Sequence, residues 1–127
     1  MRRLTTGVAL GLALGLIPLA NHTMAAGAFD GTYAGQKRET QNNQSGYCHD
    51  TNGVTMLAVK DNVISYRWGV PLEGPVAGDG SFSVEHQGMA MRGAAAMISI
   101  KGRISGGNLE ADVGSNLCAA HLSLKKK

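Results

Sequence analysis

The chain has 127 residues, 12 Lys and Arg against 9 Asp and Glu, 18 Gly and six aromatic side chains. One domain is the expectation at this length. Arg2 and Arg3 belong to a leader; without them 10 basic residues face 9 acidic ones, and three of the ten are the terminal Lys125, Lys126 and Lys127, so the clustered basic stripe that nucleic-acid capture needs is excluded.

The leader comes first in the chain. Arg2 and Arg3 precede an apolar run from Gly7 to Ala20, too short and too Gly-broken for a membrane span of about 20 apolar residues. Small residues then occupy the −3 and −1 positions before two candidate cuts. Residues 1–25 read as a signal peptide, with cleavage between 25 and 28 and a periplasmic or secreted destination. Residues 26–127 form a single β domain in this reading.

Beyond the leader, apolar residues alternate with period two and nowhere sustain the period of a helix. Strands are expected over about residues 29–38, 54–60, 63–69, 72–78, 81–88, 95–105, 108–114 and 117–124. "SFSVEHQ" puts Phe82, Val84 and His86 on one face. "MISIKGRI" puts Ile98, Ile100, Gly102 and Ile104 inward, "NLEADV" Leu109, Ala111 and Val113, and "CAAHLSL" Cys118, Ala120, Leu122 and Leu124. Each strand thus has one wet face. Tight turns are expected at "KDNV", at Asp79-Gly80, read as a two-residue hairpin, and at "SGGN". Strands recurring at this spacing predict an all-β fold, a small antiparallel β-barrel or sandwich of about eight strands. Between the first two strands, residues 39–53 read as a long polar loop, the place where binding function most often sits in a compact domain.

A domain that opens "FDGTYAG" and continues with a "DGSF" hairpin, a "GRISGGNLE" hairpin and a last strand "CAAHLSL" resembles small exported β-domains of alphaproteobacteria. That resemblance implies the fold and the compartment. It carries no activity and no catalytic residues.

Cys48 and Cys118 are the two cysteines. An even count in an exported chain predicts one disulfide. Closing a loop of about 70 residues, it would contribute roughly 4 kcal/mol by the chain-entropy argument. "CHD", Cys48-His49-Asp50, holds the residue types of a nucleophilic triad. Adjacent residues do not converge as a triad requires, and Cys48 is the partner of Cys118.

Glu110 and Asp112 share an outward face with spacing compatible with two-carboxylate hydrolysis. Lys101 and Arg103 on the preceding strand explain them instead, as cross-strand charge pairs. Neither H-E-x-x-H nor C-x-x-C is present, so zinc has no motif. Tyr66 and Trp68 share a strand face and form a candidate ligand-stacking platform. His86, Met89, Met91 and Met97 form a soft donor set suited to Cu(I) or Ag(I).

The function expected from these residues is an exported, non-enzymatic binding module, inhibitor-like, acting on a protein or small ligand. It has no catalytic residues and no cofactor, binds no nucleic acid, spans no membrane and is a monomer. The alternative expectation is a soft-metal periplasmic protein that holds copper through the His86 and methionine set.

Overall fold

The computed structural model describes residues 27–42, 48–89 and 95–127, without the side chains of Met89, Ala95 and Ala96. The expected signal peptide and Met91 lie outside the described residues, and the expected cleavage range, 25–28, straddles their start. Among the described residues there are eight antiparallel strands: β1 Gly31–Asn42, β2 Gly53–Lys60, β3 Val63–Trp68, β4 Val70–Pro75, β5 Ser81–Met89, β6 Ala95–Ser105, β7 Asn108–Gly114 and β8 Cys118–Lys126. They form one sheet in the order β4-β3-β2-β1-β8-β7-β6-β5. β1 and β8, the first and last of these strands, pair with each other, so the sheet curls into a nearly closed barrel whose seam falls between β4 and β5.

Alternation builds the interior. Tyr33, Leu57, Ile64, Leu72, Ile100, Leu109, Leu122 and Leu124 are all at most 1 % exposed and form one continuous core. Each such side chain contributes roughly 1.5–3 kcal/mol of burial free energy. Nothing in the described residues forms two stacked sheets, which resolves the barrel-or-sandwich alternative in favour of the barrel.

The first strand departs from expectation. It runs on to Asn42, through residues read as loop, because Glu39, Gln41 and Asn42 pair with Ala120, Ala119 and Cys118 of β8 across a register shift between Glu39 and Gln41. The β1–β2 ladder has already ended at Lys37–Gly53, so β8 alone holds this polar stretch as strand, a condition that local propensity does not report. Likewise, β4 begins at Val70 and ends at Pro75, earlier at both ends than its apolar pattern suggested.

Three turns explain the strand spacing. Asp61 and Asn62 both take positive φ between β2 and β3, as do Gly106 and Gly107 between β6 and β7, the pattern of type I′ hairpins. The Asp79-Gly80 turn is different. Gly80 N–H donates to the Ala77 carbonyl at 2.9 Å, so Gly78 and Asp79 are the central residues and Gly80 is the positive-φ residue that follows. This longer connection has room for Asp79 to accept hydrogen bonds from the Ser81 N–H at 3.0 Å and the Ser81 hydroxyl at 2.7 Å.

The opening "FDGTY" is a structural clasp. The Asp30 carboxylate accepts the N–H groups of Asp61 and Asn62 at 2.8 and 3.0 Å, pinning the β2–β3 turn to the start of β1. The Tyr33 hydroxyl donates back to the Phe29 carbonyl at 2.7 Å, and Phe29 packs against the core.

Gly35 and Gly74 show what glycine does in the wall. A Cβ on Gly35 would collide with the Ser123 carbonyl, so only glycine lets β1 approach β8 this closely. A Cβ on Gly74 would press into Val84, because β4 and β5 meet through side chains without a ladder among the described residues.

Candidate binding site at the barrel mouth

The two ends of the barrel differ in character. At the end where β1 starts, Tyr33, Val59, Val76, Phe82, Ile104 and Leu124 fill the interior. At the other end the inward positions of β1 turn polar: Lys37 and Glu39 follow Tyr33 and Gly35 at every second residue, up to the register shift before Gln41. Lys37 stands opposite Leu122, which is fully buried, so its side chain enters on the core face. A lysine can occupy such a position by laying its stem on apolar surface and keeping the ammonium near water.

The ammonium of Lys37 sits 5.8 Å from the centroid of the Trp68 ring, within the range of a cation–π contact. Trp68 packs against the core at the end of β3, beside Gly69, which makes the sharp reversal into β4 with a φ of 74°. Lys37, Trp68, Arg67 and Gly69, with Cys48, His49, Asp50 and Cys118, line an open cavity of about 490 Å³. Small-ligand pockets span roughly 300–1,000 Å³.

The rim of this cavity is held in place. Cys48 and Cys118 form a disulfide with a Cα–Cα distance of 5.5 Å, joining the segment before β2 to the start of β8. Thr51 is 4 % exposed, and its hydroxyl donates to the Glu39 carboxylate at 2.6 Å. Glu39 N–H donates to the Asn52 side-chain oxygen at 2.9 Å, and the Gln41 amide donates to the Asn116 carbonyl at 2.8 Å. The disulfide also disposes of the triad reading of "CHD": Cys48 has no thiol, while His49 and Asp50 stand exposed on the rim.

Tyr66 and Trp68 have separate roles. Tyr66 is 5 % exposed, and its hydroxyl shares a 2.8 Å hydrogen bond with the Thr55 hydroxyl. Burial pushes the phenol above its ordinary pKa, and the Thr55 bond offsets this only in part. Tyr66 therefore supports the wall, and Trp68 is the aromatic that reaches the cavity. Lys37 and Arg67 are the site residues that motif reading misses. The available signal was parity: Lys37 falls on the same alternating face as Tyr33 in a strand that otherwise points that face inward.

The soft donor set does not come together among the described residues. His86 pairs with Ile98 and shares its face, whereas Met97 pairs with Gln87 on the opposite face and is half exposed. His86 borders a separate shallow groove over the seam, with Pro71, Glu73 and Val84. The Met89 side chain and all of Met91 lie outside the described residues. No group of three or more His, Cys, Asp or Glu residues is arranged to hold a metal ion among the described residues.

The charges on the outer face of β7 also depart from expectation. Lys101 and Arg103 stand in register with Asp112 and Glu110 as expected. The carboxylates turn the other way, to His121 on β8: Nε2 lies 2.7 Å from Glu110 and Nδ1 lies 2.9 Å from Asp112. Arg103 approaches Asp79 instead, at 3.9 Å. An imidazole ring between two carboxylates forms two short bonds on rigid neighbouring strands, whereas the longer cations would lose more side-chain entropy to do the same. Asp112 and then Glu110 raise the His121 pKa above its ordinary value of 6.5. The His121 bond is in turn the largest cause holding the Glu110 carboxyl below its ordinary 4.5.

Comparisons with protein-family models, with curated proteins and with solved structures find no match to this chain. Among the described residues, no helix is long and apolar enough to cross a membrane.

Proposed function

We propose that this protein is an exported, non-enzymatic binding module whose site is the open mouth of the barrel. One observation carries the reading. The barrel is packed with apolar side chains from its closed end up to Leu122 and Tyr66, and at the other end Trp68, Lys37, Arg67 and the disulfide surround an open cavity of about 490 Å³. Concave sites with an aromatic wall and a few convergent polar groups are where small ligands bind. A rim pinned by the disulfide and by the Glu39 bonds loses little freedom on binding.

Export is supported by the leader pattern and by a disulfide of the kind that oxidising compartments maintain. The inhibitor-like form of the reading uses the same rim, with His49 and Asp50 presented to a partner. The mouth cavity favours the small-ligand form. The copper reading draws no support from His86 and Met97, whose faces diverge.

The test is a ligand screen read by backbone amide resonances, using a mixture of neutral, cationic and anionic small molecules. Hits should move Lys37, Glu39, His49, Trp68 and Gly69 together. Hits that map to the outer faces of β5–β7, or none at all, would overturn the assignment. Mass spectrometry of material recovered outside the cytoplasm should find a chain that starts between residues 26 and 29.

A further inference from the structure

Resting on the mouth as the binding site, we infer that its ligand is an organic anion: a carboxylate or similar group attached to a flat apolar body. Lys37 carries the argument. It is a cation on the core face of β1, and among the described residues no carboxylate lies within ion-pair distance of it. The acid nearest in position on that face, Glu39, has its carboxylate engaged by Thr51 at 2.6 Å and by the Asn42 amide at 3.4 Å. The Lys37 ammonium rests instead on the Trp68 ring. A ring face is a weak partner for an ammonium compared with a carboxylate, which accepts a charge-assisted hydrogen bond.

The surrounding charge agrees. The cavity is lined by two basic side chains, Lys37 and Arg67, and by His49, against the single carboxylate of Asp50. Its apolar surface comes from Trp68 and the Cys48–Cys118 bridge, and a Cβ on Gly69 would meet nothing within 4 Å, so that part of the rim is open for entry. A ligand of this class places its anion on Lys37, within reach of Arg67, and its flat body against the indole. The ammonium then exchanges a ring face for a full charge, which is the source of preference for anions over neutral analogues.

The chain has one tryptophan, so the Trp68 indole N–H gives a single, unambiguous resonance. The disulfide-bonded protein is titrated with 2-naphthoate, 2-naphthamide and 2-naphthylmethylammonium, and this resonance is followed. Naphthoate should bind at least about tenfold more tightly than the amide, and the ammonium compound most weakly. Lys37→Met should abolish the preference for naphthoate, Lys37→Arg should retain it, and Trp68→Leu should weaken all three. Raising the salt concentration should weaken naphthoate binding and leave the amide unchanged, a readout that needs no variant.

Equal binding of carboxylate and amide, or a preference that survives Lys37→Met, would overturn the anion assignment while leaving the mouth as the site. Failure of all three probes to move the indole resonance would overturn both.

Discussion

Asp30 and His121 are single residues whose roles are set by what faces them. Asp30 caps the β2–β3 turn, and those two backbone hydrogen bonds, first Asn62 and then Asp61, hold its carboxyl below the ordinary 3.8. A lowered carboxylate pKa stabilises the fold above the ordinary value and stops doing so as pH falls through the folded value. Asp30→Ala should therefore lower the urea midpoint at neutral pH, and the two proteins should converge by about pH 2. A gap that persists there would assign the effect to packing. His121 works with the opposite sign. Its raised pKa stabilises the fold fully below 6.5, and the gain is lost as pH rises through the folded value. The Glu110 contribution is present above 4.5 and lost as pH falls through its lowered folded value. The clamp is thus strongest between these ordinary values. Because it faces solvent, it should contribute no more than about 1 kcal/mol. Urea midpoints of the parent and His121→Gln should differ most near pH 5–6 and draw together by about pH 9; a constant difference would show that charge plays no part.

At the scale of elements, the β3–β4 hairpin is the least secured part of the wall. Its own ladder runs from Val63–Pro75 to Trp68–Val70. Among the described residues, only Ala58–Ser65, Val59–Ile64 and Lys60–Val63 pair towards β2, and β4 meets β5 without a ladder. The half of the hairpin that carries Trp68 therefore depends on packing and on the Thr55–Tyr66 bond. Elements with few backbone partners open at lower free energy than core strands. Hydrogen exchange should be faster across Tyr66–Leu72 than in β7 and β8, and a bound ligand at the mouth should slow it; equal protection throughout would refute this. The seam makes a paired prediction. Gly74→Ala should destabilise by about 1–3 kcal/mol because Val84 occupies the space. Gly78→Ala, where a Cβ meets nothing within 4 Å and φ is not positive, should be nearly neutral or slightly stabilising. Thermal unfolding of the two variants decides the matter, and equal effects would mean that the seam adapts.

For the whole molecule, the disulfide is the largest single constraint. It links residues separated by 70 positions and closes the barrel where β1 and β8 carry the mouth. The loop-entropy argument assigns it about 4 kcal/mol, against a total of roughly 5–15 kcal/mol for a domain of this kind. Calorimetry of a Cys48→Ser, Cys118→Ser double variant should show Tm lower by at least about 15 °C. A drop of only a few degrees would show that the unpaired form is already held together by the core.

The period-two alternation from Ser81 to Leu124, the paired turn residues at Asp61-Asn62 and Gly106-Gly107, and the count of two cysteines were enough to predict eight antiparallel strands and one disulfide. These are local signals: each strand must bury one face, each tight reversal needs residues that tolerate positive φ, and two cysteines can pair in only one way within a chain. What tertiary structure alone decided is non-local. Pairing of β1 with β8 selected a barrel over a sandwich and turned the polar Glu39–Asn42 stretch into strand. The β1-β2-β3 order set Lys37 over Trp68, 31 positions away in the chain, where neither residue carries a motif. His121 drew Glu110 and Asp112 away from the cations that sequence register had offered them. A cavity is a relation between distant segments, and periodicity along the chain describes only which face a residue occupies, never what stands across from it.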